Sequence, residues 1–433
     1  MLQTGMAADL PIAQEDIALL CALLDRLADY AGSVVRRHQL GLREEVVAAH
    51  LNATRARIES TLSRLSAGPA RLRPAGEVPL AHSPGPEVWD FRQTLRYATG
   101  AAMISQRYVA RMAEADVSRS LLAKVLFKCQ TGILDDVVDR GAYSYIEVRD
   151  LYQHVLSSMT APRYDQNLFR AKLAMLLQQE QFAVYDLTSN ITASFNRLFL
   201  SSPRGFEFFV EMERLDHQVS LGQALSVFQK RPFLDLPRVR SITAALPAPA
   251  ADLRWHERLA NYVSGGTRYN LIDLCFTTVA DPLEDLRAML DAWYYFDVVI
   301  VYLNNVVAIE QDLREGIVNL SLVAMRESET QALRDPTGYD PHLADEDYLA
   351  HFERLGELLD RGLRHALDSG TDTDQYYPFI ATMIPVVMMA EWIGTKDEYI
   401  DAFVATVAPR IREAVMAGAR PAVPEVIARY HTR

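Results

Sequence analysis

Cysteine is scarce in this chain. Its 433 residues hold three, Cys21, Cys129 and Cys275. They are widely separated, odd in number and set in apolar surroundings, so they read as reduced core residues and not as a disulfide framework or zinc site. Basic charge is short as well, 44 Lys and Arg against 56 Asp and Glu, a net charge of −12. That balance argues against a nucleic-acid or anionic-membrane partner, which would favour basic patches. Residues 1–11 have no basic segment followed by an apolar one, so no signal peptide is expected. Long apolar runs are also missing. Trp293 to Leu303 is interrupted by Asp297, and Phe379 to Ile393 contains Pro385 and Glu391. No membrane span is expected, and the expected location is cytoplasmic. The last absence is of strands: no stretch alternates convincingly, and there is no repeat.

What is present is helical period over an ordinary globular composition, 49% hydrophobic and 23% charged, enough to bury a large core. Apolar residues recur three and four apart over 12–37 and again over 40–65. Residues 67–86 are too proline-dense for a helix interior. Residues 1–86 are therefore expected to form an N-terminal helical extension with a Pro/Gly-rich strap, and 87–433 the main α domain. Within it, helices are expected over 93–115, 117–140, 145–159, 165–199, 206–229, 253–263 and from 267 to a turn at 280. A Pro-rich connector is expected over 232–249. Pro282 suits a first helical turn and opens the most apolar long helix, which ends near Gly316. An exposed loop is expected over 326–346, then helices over 347–367, 376–393, 396–416 and 424–430. The fold class is all-α, a helical bundle.

Two constellations carry chemistry. The 117–140 helix ends in Ile133-Leu-Asp-Asp-Val-Val-Asp-Arg140. Asp135 and Asp139 are four apart and share a face, and Asp136 lies about 100° round from Asp135. Carboxylates one turn apart at the end of an apolar helix repel each other and lose hydration. A cation between them removes both costs, and Mg²⁺ is the natural one, a hard ion that takes oxygen ligands and bridges to phosphates. The second constellation is on the Pro282 helix, where Asn304, Ala308 and Asp312 stand at i, i+4 and i+8 in one row. Gly316 and Asn319 follow.

Together these pieces resemble class I terpene cyclases of the microbial type. Asp135, Asp136 and Asp139 match that family's DDxxD motif. Asn304 matches the first residue of its Asn-x-x-x-Ser-x-x-x-Glu triad, and Asp312 replaces the Glu conservatively. Gly316 and Asn319 match residues that often follow, while Ala308 departs from the Ser or Thr. The resemblance spans roughly residues 89–412. It implies a single large helical bundle of the isoprenoid synthase type around a central apolar cavity. The implied metal ligands are Asp135, Asp136, Asp139, Asn304 and Asp312, holding Mg²⁺, three ions with substrate bound. The family also has a diphosphate-sensing arginine before the triad. Arg258, 46 positions before Asn304, is favoured by spacing over Arg268, which follows Ser264-Gly265-Gly266 where the family has a kink. The late Arg-Tyr pair of the family has no match at the expected place, since Arg429-Tyr430 lies too far along.

The implied activity is ionisation of a linear prenyl diphosphate, geranylgeranyl or farnesyl, and cyclisation of the carbocation to a hydrocarbon or alcohol with release of diphosphate. Asp135, Arg258, Asn304 and Asp312 would be catalytic. Phe127, Trp293 and Phe296, with Tyr294 and Tyr302 as further candidates, would line a wall whose ring faces stabilise positive charge. At helical spacing, such aromatics are also ordinary core residues. The partner expected is the small-molecule diphosphate, with a homodimer allowed. Two other readings stand beside this one: another all-α prenyl-diphosphate enzyme, a prenyltransferase or head-to-head synthase, and a non-catalytic helical binding protein. The former usually shows two Asp-rich motifs, and the second row here is Asn-rich, so cyclisation is preferred.

Overall fold

The computed structural model describes residues 14–66, 108, 111–247, 252–278, 282–326, 343–368, 376–392 and 396–418. The expected strap over 67–86, most of the helix over 93–115, most of the loop over 326–346 and the helix over 424–430 lie outside these residues. In chain order the helices are α1 (Gln14–Arg37), α2 (Glu44–Ser66), α3 (Glu114–Arg140), α4 (Tyr145–Thr160), α5 (Gln166–Leu176), α6 (Tyr185–Leu200), α7 (Phe209–Ser226), α8 (Leu236–Ala245), α9 (Trp255–Val263), α10 (Gly266–Cys275), α11 (Pro282–Glu315), α12 (Leu320–Met325), α13 (Asp345–Asp368), α14 (Tyr377–Trp392) and α15 (Asp397–Gly418). Among the described residues there is no strand, only one isolated bridge between Met112 and Thr277. The fold is all-α.

Two helices form its axis. In α3, every residue from Ser120 to Phe127 is buried, and in α11 so is every residue from Ala292 to Val299. A helix buried all round belongs to the centre of a bundle. At 34 residues, α11 is about 50 Å long. It packs against α9, α10, α12, α13 and α14, while α3 packs against α2, α6, α10. The stretch Leu286–Glu315 is long and apolar enough to cross a membrane by length and composition, contrary to the sequence expectation, and is mostly buried inside the protein. Its buried Asp297 belongs to this interior. The apolar core is one connected cluster, and Ile17, Val34, Leu40 and Val47 of the α1–α2 hairpin belong to it. Arg37 pairs with Asp397 and Asp401 of α15, which fixes the hairpin to the C-terminal helices.

Two segments depart from the sequence expectation. The helix read over 165–199 is divided into α5, a 3₁₀ turn at Gln179–Val184, and α6. No Gly or Pro marks the break. Tertiary contacts make it: the Gln178 amide donates to the Tyr143 hydroxyl at 2.9 Å, and the Gln178 side chain accepts from the Ala142 amide at 3.3 Å. The connector at 232–249 contains α8. Asp235 caps it by accepting from the Arg238 amide at 3.1 Å, and Pro237 falls in the first turn, where a missing N–H costs nothing.

Candidate functional site

The acidic end of α3 is built by how that helix stops. Gly141 donates to the Val137 carbonyl at 3.1 Å, and a Cβ on Gly141 would collide with the Tyr143 ring, so only glycine lets the chain turn there. Ser144 and Glu147 then form a reciprocal capping box that starts α4. The tight turn lays α4 alongside, and Tyr152 on α4 donates its hydroxyl to Asp135. Burial pushes the Asp135 carboxyl up, opposed by Lys128, the Tyr152 hydroxyl and Lys230, with Asp139 reinforcing the rise. Burial likewise pushes Tyr152 well up, so the Tyr152 hydroxyl keeps its proton and donates it to Asp135. Asp136 is partly buried and Asp139 exposed.

The end of α11 is built by a different device. Gly316 takes φ +71°, the left-handed conformation that glycine adopts without penalty. Its amide donates to Leu313 O at 3.3 Å, and the Ile317 amide donates to Asp312 O at 2.7 Å, the two bonds of a Schellman stop. The reversal brings Asn319 back against the helix. One Asn319 amide group donates to Asp312 Oδ2 at 2.7 Å and to the Asn305 carbonyl at 2.6 Å. Its Oδ1 accepts from the Leu322 amide at 3.0 Å and so caps α12. Asn319 therefore orients the Asp312 carboxylate. Burial pushes Asp312 up to about 6, with the Asn319 bond and Lys230 acting against it and Glu315 and Asp139 adding to it. Asn304 is exposed and Ala308 partly buried in the same row.

The Lys230 ammonium contacts Asp139, and its charge also acts on Asp312 and Asp135. It lies on the segment after the 3₁₀ turn Val227–Gln229. That segment is tied to the turn after α11 by a 2.8 Å bond from the Val318 amide to the Gln229 carbonyl. Tyr152 and Lys230 had no signal in the sequence, since each meets its aspartate through tertiary packing. Among the described residues, no three His, Cys, Asp or Glu side chains converge closely enough to hold an ion by themselves.

The two candidate arginines have different surroundings. Arg258 donates to the backbone carbonyls of Leu253 at 3.1 Å and Ala244 at 3.3 Å, bracing the start of α9 against the end of α8. Arg268 is fully buried. It forms an ion pair with Asp216 of α7, and its guanidinium lies over Phe127 of α3 at 4.6 Å and Phe195 of α6 at 5.8 Å. Burial lowers its pKa to about 9, which leaves it charged at neutral pH. Beside it, Asp297 of α11 caps the start of α10, accepting from Ser264 Oγ at 2.7 Å, the Thr267 amide at 3.2 Å and the Thr267 hydroxyl. A Cβ on Gly266 would clash with Asp297 and lie 2.7 Å from the Trp293 ring. The break between α9 and α10 is thus a place where α11 approaches closely.

Of the candidate aromatics, Trp293 and Phe296 meet edge to face with ring centroids 5.5 Å apart. Phe127 stands between Arg268 and the edge of Tyr269. Trp293 packs on Gly266, whereas Phe296 packs on Gly362 of α13. Tyr302 bonds His256 and stacks near His351, and Tyr294 faces Arg214 and Glu211. Among the described residues, the buried amide groups of Gln130 and Asn270 and the hydroxyls of Thr188 and Thr192 have no hydrogen-bond partner, and Arg268 and Asp216 meet as an ion pair without a hydrogen bond of regular geometry. The amide and hydroxyl side chains come from α3, α10 and α6, the helices that also supply Phe127, Arg268 and Phe195. No family model matches the chain, and no curated protein matches it in sequence.

Proposed function

We propose that the protein is a Mg²⁺-dependent class I terpene cyclase acting on a linear prenyl diphosphate. The observation that carries this reading is the contact of Lys230 with Asp139 at the acidic end of α3, on a segment bonded by backbone to the turn that follows Asp312. The residues fit the metal. Asp135, Asp136 and Asp139 on one side and Asn304 and Asp312 on the other offer only oxygen donors, which is what Mg²⁺ takes while keeping waters and sharing phosphate oxygens. When bound, Mg²⁺ supplies the positive charge that neutralises the departing diphosphate.

The remaining work belongs to the chain. Asn319 holds Asp312 in register, and Tyr152 holds Asp135, so both carboxylates are oriented before any ligand arrives. Lys230 adds a positive charge beside Asp139. Phe127 and Phe195 present ring faces to Arg268, which pairs with Asp216. In this reading Arg268, and not Arg258, is the interior arginine, because Arg258 is committed to backbone carbonyls. The buried shell of α3, α6, α10 and α11 would keep water from the cation that ionisation leaves behind.

The test is incubation with C10, C15, C20 and C25 prenyl diphosphates and Mg²⁺, with released diphosphate and organic products both measured. Cyclic hydrocarbons or alcohols are expected, with turnover lost in Asp135→Ala and Asp312→Ala. Longer linear diphosphates among the products would mark a chain-elongating enzyme. Absence of Mg²⁺-dependent diphosphate release from all four substrates would reject the enzyme reading.

A further inference from the structure

Lys230 is not part of either acidic motif, yet it contacts Asp139 of the first and lies on a segment bonded to the turn that follows the second. Its backbone is fixed from several directions. The Lys230 amide donates to Val227 O at 3.2 Å, and the preceding carbonyl, that of Gln229, accepts from Val318 at 2.8 Å. Phe228 stacks on Tyr145 of α4 at 5.6 Å, and Arg238 of α8 covers its ring at 4.5 Å. The lysine side chain is only 26% exposed, while its partner Asp139 is 58% exposed. A rigid segment thus carries a four-carbon flexible stem, whose ammonium can move several ångströms without disturbing the fold. The charged groups facing it are Asp139 and Asp135 from α3 and Asp312 from α11. Lys128 also acts on Asp135, from within α3.

Resting on the cyclase reading, we infer that Lys230 is a resident counter-ion that is handed from Asp139 to the substrate diphosphate as metal enters. Without ligand, its ammonium neutralises the two acidic faces and competes with a divalent ion for Asp139. A diphosphate at the junction offers oxygens to which a lysine binds as a point charge. The ammonium then leaves Asp139 for the diphosphate, and the freed carboxylate is available to metal. No covalent bond changes in this exchange. Its consequence is thermodynamic coupling: diphosphate tightens metal binding, and metal tightens diphosphate binding by the same factor. The enzyme would hold little metal until substrate is present.

The test uses the full chain stripped of metal, titrated calorimetrically with Mn²⁺ alone, then with inorganic pyrophosphate in Mg²⁺. Breaking a half-exposed ion pair is worth up to about fivefold in affinity. Lys230→Met is therefore expected to bind Mn²⁺ alone about fivefold more tightly than the natural protein. It should bind pyrophosphate more weakly, and the tightening of one ligand by the other should shrink. Lys230→Arg keeps the charge and should retain the coupling. Lys396→Met removes an equal charge from a pair with Asp345 and should leave metal affinity within about twofold. Circular dichroism establishes that each variant folds, with Lys230→Gln in reserve should the methionine variant fail. Tighter Mn²⁺ binding with unchanged coupling would overturn the hand-over. If the natural protein and Lys230→Met bind both ligands alike, the lysine has no part in the site, and the cyclase reading survives. If neither binds metal even with pyrophosphate, the cyclase reading itself falls.

Discussion

Arg268 and Asp216 invite a double-mutant cycle, because both are fully buried and in contact. A charge in a protein interior persists only when paired, since its lost hydration is worth several kcal/mol after relaxation. Asp216→Leu leaves Arg268 with the ring faces of Phe127 and Phe195 but without its carboxylate. Arg268→Met leaves Asp216 as an isolated buried anion. Each single variant should lose about 3–5 kcal/mol of stability, the range for breaking a buried pair by removing one partner. The double variant replaces both charges by apolar groups of similar length and should lose much less than the sum of the two. The coupling should therefore be several kcal/mol, against about 0.3–0.5 kcal/mol for independent sites. Urea unfolding at neutral pH followed by circular dichroism gives all three values. Additive losses would refute the reasoning, because they would mean that each group is stabilised by something other than its partner. Arg268→Lys is a finer probe. It keeps the charge but loses the planar group that stacks on two rings, and should fall between the natural protein and Arg268→Met.

Other perturbations have equally definite outcomes. Gly266→Ala forces a methyl group against Asp297 and Trp293 and should cost about 1–3 kcal/mol in urea unfolding, the usual effect of overpacking. Asn319→Ala removes both the α12 cap and the bond to Asp312. It should cost about 1 kcal/mol and raise the Mg²⁺ concentration needed for half-maximal pyrophosphate binding. His351 is buried, and burial with the nearby His256 lowers its pKa to about 3, below the ordinary 6.5. Because the folded pKa is depressed, its contribution to stability is full above pH 6.5 and is lost as pH falls toward 3. Between pH 6.5 and 5 the loss should be about 2 kcal/mol. His351→Gln should show a correspondingly flatter pH dependence of its urea midpoint.

Much of this architecture is legible in the chain because it depends on local rules. Asp135 and Asp139 share a face by helical geometry, and Pro282 and Gly316 bracket α11 as a starter and a stop. Asp235 and Pro237 carried a similar local signal for α8, masked by the prolines around them. Contacts made across the bundle are another matter. The aspartate that caps α10 is Asp297, on a different helix, and in the sequence it reads as no more than an interruption in an apolar run. The burial of Arg268 is likewise decided by where Asp216 and the two phenylalanines converge, and its spacing to Asn304 carries no sign of it. Gln178 stops α5 without any breaker residue, through its bonds to Tyr143 and Ala142. Tyr152 and Lys230 reach the acidic end of α3 from 17 and 91 positions away, so no window along the chain could have found them.

The 2.8 Å bond between Val318 and Gln229 separates two mechanical bodies around Lys230. One comprises the turn after α11, with Asp312 and Asn319, joined by backbone to the lysine-bearing segment. The other is the end of α3, held by Tyr152 to α4. Within each body, positions are fixed by backbone bonds or short side-chain contacts. Between them runs the contact from a flexible lysine to an exposed aspartate. The separation of the two bodies is therefore softer than the orientation of Asp135 and Asp312 within them. Slow exchange of the Val318 amide, with fast relaxation at Lys230 Nζ, would be the spectroscopic mark of that division.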